Sequence, residues 1–180
     1  MADPRSYSVA DTLRSGVAVT IRALRDDDRD RMARAIRGLD RESIYTRFFA
    51  YRKPADDLLD RAMRFDADTE VVLVVTTGVD AGETIVAAGR YIVTGGPEGA
   101  LTAEVAFMVE EDFHGLGIAG RLLRHLASIA RDRGIAAFEA EVLAGNKAML
   151  AVFARSGLPM RTAHEDGIVR VTLALRDGPD

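Results

Sequence analysis

The sequence predicts a mixed α/β fold of the α+β kind: a single domain built on one mostly antiparallel, six- or seven-stranded sheet with helices on both faces. Three observations carry this. A strand, a helix and a second strand follow one another between residues 100 and 143, an order that makes the two strands parallel neighbours. Upstream, Glu70–Thr77 and Thr84–Thr94 read as two strands joined by a turn, as in an antiparallel meander. Downstream, Leu158–His164 and Ile168–Leu175 flank Glu165-Asp-Gly167, a hairpin turn sequence.

The first fifteen residues are polar and lack periodicity, so they read as a flexible tail preceding a domain over 16–176. Val17–Leu24 alternates as a strand. Asp26, Asp27 and Asp28 then crowd acid at the start of a helix through Met32, Ala33 and Ile36 that stops at Gly38, which suits the positive end of the helix dipole. A second helical region covers 41–49, and a third opens at Pro54 with Leu58, Leu59, Ala62 and Met63 on one face. After the two meander strands, turning at Asp80-Ala-Gly82, Gly95-Gly-Pro97 leads into a strand over Ala100–Val109. The helix over 118–133 places apolar residues at 118, 119, 122, 123, 126, 129 and 130 on one stripe and stops at Gly134. A strand at Ala136–Leu143 and a helix from Asn146 to Ser156 precede the terminal hairpin.

Composition narrows the chemistry. In 180 residues, 24 Lys and Arg stand against 28 Asp and Glu, a formal charge of −4 that gives no bulk attraction to nucleic acid or anionic lipid. Apolar runs such as Val71–Val75 are far too short to span a bilayer, and residues 1–10 carry no apolar leader, so the expected location is cytoplasmic. Cysteine is absent, which excludes disulfides and thiolate nucleophiles. His114, His125 and His164 form no metal-ligand spacing, so no metal is expected. Carboxylates, backbone groups and a bound cosubstrate are left to do the work.

The junction at Val105–Leu123 is the most informative stretch. A strand runs into a turn with glycines at 115, 117 and 120 that opens a helix, so backbone can approach a ligand without a Cβ in the way. The unpaired N–H groups of the first helical turn point at an anion, and a diphosphate fits them. The plain alternative is an ordinary tight strand-to-helix connection.

At this point the residues resemble the GNAT superfamily of acyl-CoA-dependent N-acyltransferases. Its phosphate-loop pattern (Gln or Arg, two residues, Gly, one residue, Gly or Ala) is met by His114-Gly-Leu-Gly117-Ile-Ala119, with His114 in place of the usual Gln or Arg. Asn146 through Leu158 resembles the family's second motif, with Phe153 where many relatives carry a tyrosine that protonates the departing thiolate. Ser43-Ile-Tyr-Thr-Arg-Phe-Phe49, Ala103-Glu-Val-Ala-Phe-Met-Val109 and Glu165-Asp-Gly-Ile-Val169 are similar to the catalytic domain of bacterial Pat-type protein lysine acetyltransferases. The resemblance implies a GNAT-like fold and acetyl-CoA (CoA) as cosubstrate. It implies that the protein acetylates lysines of protein substrates such as acyl-CoA synthetases. Acetylation of a small amine or amino acid, and a non-catalytic acyl-CoA-sensing module, are the alternatives. A dimer is compatible with the sequence, which leaves the oligomeric state open.

On that reading Phe107, Met108, Val109, His114, Gly115, Leu116, Gly117, Ile118, Ala119, Gly120, Asn146 and Phe153 contact the cofactor. Backbone N–H groups of Met108 or Val109 would face the developing oxyanion where the strand splays. Asn146 would cap its helix or touch the pantetheine arm. Arg121 and Arg124 would reach phosphates or simply form an exposed basic face. Glu104 is the candidate general base: it interrupts an apolar strand and resembles the strand glutamate of lysine acetyltransferases. Desolvation would raise its pKa from about 4.3 toward neutrality. A carboxylate facing solvent or paired with arginine is the plain alternative, and Glu139 and Glu141 on the next strand are its rivals. Arg47, with Phe48 and Phe49, would shape the acceptor groove, or the aromatic pair would join the core.

Overall fold

Eight strands form in the computed structural model, which describes residues 4–39, 55–95 and 99–176. They are β1 (Ser8–Thr12), β2 (Ala18–Ala23), β3 (Glu70–Thr77), β4 (Thr84–Val93), β5 (Thr102–Val109), β6 (Ala137–Leu143), β7 (Met160–Glu165) and β8 (Ile168–Ala174). They make one sheet in the order β1-β2-β3-β4-β5-β6-β8-β7, and every neighbouring pair except β5–β6 is antiparallel. The helices are α1 (Arg29–Arg37), α2 (Ala55–Met63), α3 (Ile118–Asp132) and α4 (Lys147–Ala154).

The eighth strand corrects the sequence reading. Ser8–Thr12, expected within a flexible tail, is β1, paired with β2 from Ser8↔Arg22 to Thr12↔Ala18. Its own side chains are almost all exposed, so no hydrophobic alternation announces it. What anchors the hairpin is Leu13, buried in the core at its turn. The helical region expected over 41–49, including Arg47, Phe48 and Phe49, lies outside the described residues.

Two cores sandwich the sheet. On one face Val71, Leu73, Val75, Tyr91, Val105 and Phe107 meet the α3 stripe of Ile118, Leu122, Leu123 and Leu126. On the other, Val72, Val74, Ile85 and Met108 meet Met32, Ile36, Leu58 and Leu59 of α1 and α2. Covered on both sides, β3 is apolar without interruption from Val71 to Val75. No helix among the described residues is long and apolar enough to cross a membrane.

Close packing of α3 depends on Gly89 in β4. A Cβ there would lie 3.0 Å from Phe107 Cδ1 and 3.1 Å from Leu126 Cδ1, with the sheet on one side and the helix on the other. Gly89→Ala is expected to destabilise by about 1–3 kcal/mol through overpacking, read as a lower denaturant midpoint at unchanged slope.

At the start of α1 lies a buried ion network. Arg22 and Asp28, 2% and 0% exposed, pair through two bonds, Nη1 to Oδ2 at 2.7 Å and Nη2 to Oδ1 at 2.8 Å. Arg22 also donates to Glu83 Oε1 and to the Ala23 carbonyl, while Asp28 accepts from the Arg25 N–H and from Arg31.

Candidate active site

The site begins where the parallel pair parts. β5 and β6 are in register only at Thr102↔Ala137, Ala103↔Phe138 and Glu104↔Glu139. Beyond Glu104, β5 stays with β4 as far as Ala87↔Val109, and β6 stays with β8 as far as Leu143↔Ile168. The strands therefore separate, leaving a wedge with backbone on both walls.

Hydrogen-bond alternation shows which groups face it. Thr94 N–H donates to the Thr102 carbonyl and Glu110 N–H to the Val86 carbonyl, so the even-numbered residues of β5 bond β4. The N–H groups of Phe107 and Val109 then point to the side that β6 has left. This narrows the expected oxyanion donor: Val109 aims its N–H at the wedge, whereas the Met108 N–H belongs to the β4 ladder.

A cavity of about 930 Å³ occupies the wedge and runs to the start of α3. Its lining includes Phe107, Met108, Val109, His114, Gly115, Gly117, Ile118, Ala119, Gly120, Asn146 and Phe153. Of the residues expected at the cofactor, Leu116 alone is not part of this lining. Gly117 caps α3 with φ +78°, and among the described residues no side-chain cap bonds the first-turn N–H groups. Gly115 holds φ +74°, a backbone region that side chains disfavour. A Cβ at Gly115 or Gly120 would meet nothing within 4 Å. The glycines thus leave open space above exposed donors, a surface that fits a phosphate group.

The side chains around the loop are occupied in particular ways. His114 is exposed, and its Nε2 lies 2.8 Å from the Val109 carbonyl, tying the loop to the end of β5. Arg121 lines the cavity with its guanidinium beside Gly117, and its donors are already engaged. It donates to Asp11 Oδ2 at 2.7 Å, to the Thr12 carbonyl at 3.0 Å and to the Leu116 carbonyl at 3.2 Å. The Thr12 N–H, together with Arg121 and against the opposing effect of burial, holds the Asp11 carboxyl below its usual range. Arg124 is exposed at the cavity edge.

On the far wall Asn146 caps α4, its Oδ1 accepting from the Met149 N–H at 3.1 Å. Phe153 is buried at 1% exposure, its ring 6.2 Å from that of Phe107, so it forms the hydrophobic floor where the wedge meets the core. Among the described residues no group of three or more His, Asp or Glu is arranged to hold a metal ion.

Glu104 stands at the last register pair before the strands part, beside Ile92 on β4 and Glu139 on β6. It is exposed and lies outside the cavity lining, which corrects the expectation of a desolvated carboxylate. The reason is the pleat: Glu104 shares its face with Met108, opposite α3, and among the described residues the helices on that face leave it exposed. Of its rivals, Glu139 is half-buried, and Glu141 is paired with Arg170 at 3.2 Å.

Sequence reasoning missed Arg14, which lines the cavity from the turn between β1 and β2. The available signal was Gly16, which takes φ +86° at that turn. Met149, Val152 and Leu158, also missed, line the α4 wall.

A split parallel pair, a bare glycine turn and a helix start opening on one cavity define the class as an acyltransferase domain. Residues 39–158 match the acetyltransferase (GNAT) family, and the chain belongs to it. The chain is 36% identical over 116 residues to acetyltransferase Pat of Mycolicibacterium smegmatis, covering 64% of itself and 34% of that protein. It thus spans about a third of the length of that relative. With acetyltransferase PA5475 of Pseudomonas aeruginosa it shares 32% identity over 140 residues, 77% of this chain and 74% of the other. The crystal structure of the GNAT domain of S. lividans PAT superposes with a TM-score of 0.78 at 34% identity, covering 93% of this chain and 96% of that one.

Proposed function

We propose that this domain transfers the acetyl group of acetyl-CoA to lysine side chains of protein substrates, acyl-CoA synthetases among them. The observation that carries the reading is the parting of β5 and β6 beyond Glu104, beside a glycine turn with free amides. A pantetheine arm would pair with the exposed edge of β5, and the loop from Gly115 to Gly120 would hold the pyrophosphate. Asn146 and Phe153 would close the opposite wall.

Acetyl-CoA supplies an activated carbonyl: the amine forms the new C–N bond, the C–S bond breaks, and CoA leaves as thiolate. Glu104 takes the proton that the ammonium must shed, directly or through one water. The Val109 N–H faces the charge that develops on the carbonyl oxygen. Phe153 has no hydroxyl, so the thiolate takes its proton from water, which a thiol pKa of about 8.5 permits. The exposed position of Glu104 favours an acceptor presented on another protein over a small amine enclosed in a pocket.

Release of free CoA separates the readings. With acetyl-CoA, release is expected on adding whole-cell protein or a purified acyl-CoA synthetase, with acetyl-lysine appearing on the acceptor. Release with small amines alone would move the assignment to a small-molecule acetyltransferase. Tight binding without release under any condition would make the domain a sensor.

A further inference from the structure

We infer that the β1–β2 hairpin is part of the cofactor site, and that Arg14 at its turn is a ligand of the pyrophosphate of CoA. This rests on the proposed use of acetyl-CoA and adds a residue from a segment that precedes the stretch matched to the family, which begins at residue 39.

The turn is built rather than loose. Leu13 N–H donates to the Val17 carbonyl and Gly16 N–H to the Leu13 carbonyl, both at 2.9 Å, which fixes Arg14 and Ser15 at the tip. Three further attachments dock the hairpin on α3: Leu13 enters the core, the Tyr7 hydroxyl bonds His125 Nδ1, and Arg121 bonds Asp11 and the Thr12 carbonyl. Arg121 reaches the Leu116 carbonyl with the same guanidinium, so the hairpin and the glycine turn are braced against each other.

The result places a second arginine over the turn. The Arg14 Cζ and Nε lie 3.6 Å from where a Cβ on Gly117 would stand, and Arg14 lines the cavity. Arg14 is exposed, and no hydrogen bond or ion pair engages its guanidinium among the described residues. A free planar donor beside helix-start amides complements a diphosphate, because the fork and the N–H groups bond different oxygens of one anion. Arg121, in the first turn of α3, positions the hairpin, and Arg14 is left to meet the ligand.

Calorimetric titration of the full chain with CoA and with dephospho-CoA, which lacks only the 3′-phosphate, tests this. Arg14→Ala is expected to weaken both ligands about tenfold relative to wild type at equal salt, with Arg14→Lys in between and the melting temperature unchanged. Equal affinity of wild type and Arg14→Ala for CoA overturns the inference while leaving the proposed function standing. A loss confined to CoA, absent for dephospho-CoA, overturns the assignment to the pyrophosphate. A wild type that ignores both ligands overturns the proposed function and the inference with it.

Discussion

Glu104→Gln is expected to lower kcat about 10²- to 10⁴-fold while acetyl-CoA binds as before. The magnitude follows from the acceptor. A lysine amine with a pKa of about 10.4 is neutral in only about one molecule in 2,500 at pH 7, so a group that removes the proton as the bond forms has a large effect. Glu104 sits at the last paired position before β5 and β6 part, where an amine approaching the acyl carbon from the open face would pass it. Glutamine keeps the shape and the hydrogen-bonding oxygen but cannot accept the proton. Glu139→Gln is expected to cost a few-fold at most, since Glu139 is half-buried and stands on the other strand. Steady-state turnover with titrated acetyl-CoA binding checks both, and a larger loss for Glu139→Gln than for Glu104→Gln would transfer the role.

Much of the fold was legible because most elements announce themselves by period. β3 was read as Glu70–Thr77 and has those bounds, since its apolar run is flanked by turn residues. α3 was readable from its stripe and from Gly134, which takes φ +84° just past the helix. The β7–β8 hairpin was readable from Asp166-Gly167, both of which adopt positive φ. β1 was not readable, because an edge strand covered on neither face needs no hydrophobic alternation; its position is set by backbone bonds to β2 and by Leu13.

The site divides the same way. Backbone features carried by glycine can be read locally, so the turn at 115–120 and the cap at Asn146 were found at their positions in the chain. Properties set by what packs against a residue are not local. The exposure of Glu104 depends on where α1 and α2 lie, the engagement of Arg121 depends on a strand more than a hundred residues away, and Arg14 reaches the cavity only because that strand forms. The choice between Met108 and Val109 required knowing which edge of β5 faces β4, a matter of register rather than residue type.

Asp28→Ala is expected to destabilise the domain by about 3–5 kcal/mol, because it leaves the Arg22 guanidinium buried without its bidentate partner. That is a large part of the roughly 5–15 kcal/mol that holds a domain together, and at about 2–4 °C per kcal/mol it lowers Tm by on the order of 10 °C. Glu83 offers only partial compensation, since its Oε1 already accepts from Arg22 Nε and Nη2. Replacing both partners with apolar residues, Arg22→Met with Asp28→Leu, is expected to recover most of the loss, because no charge is then left unpaired. The same pair sets an acid limit. Burial alone would raise the Asp28 carboxyl, but Arg22, the Arg25 N–H and Arg31 outweigh it and hold it below the ordinary 3.8. A carboxyl depressed in the folded state contributes stability above its unfolded value and loses that contribution as pH falls through the folded one. Stability should therefore decline with acid from about pH 4 downward, and chemical denaturation between pH 7 and pH 3 should show a shallower decline for the Arg22→Met, Asp28→Leu pair than for wild type. An equal slope in the two proteins would place the acid-sensitive groups elsewhere.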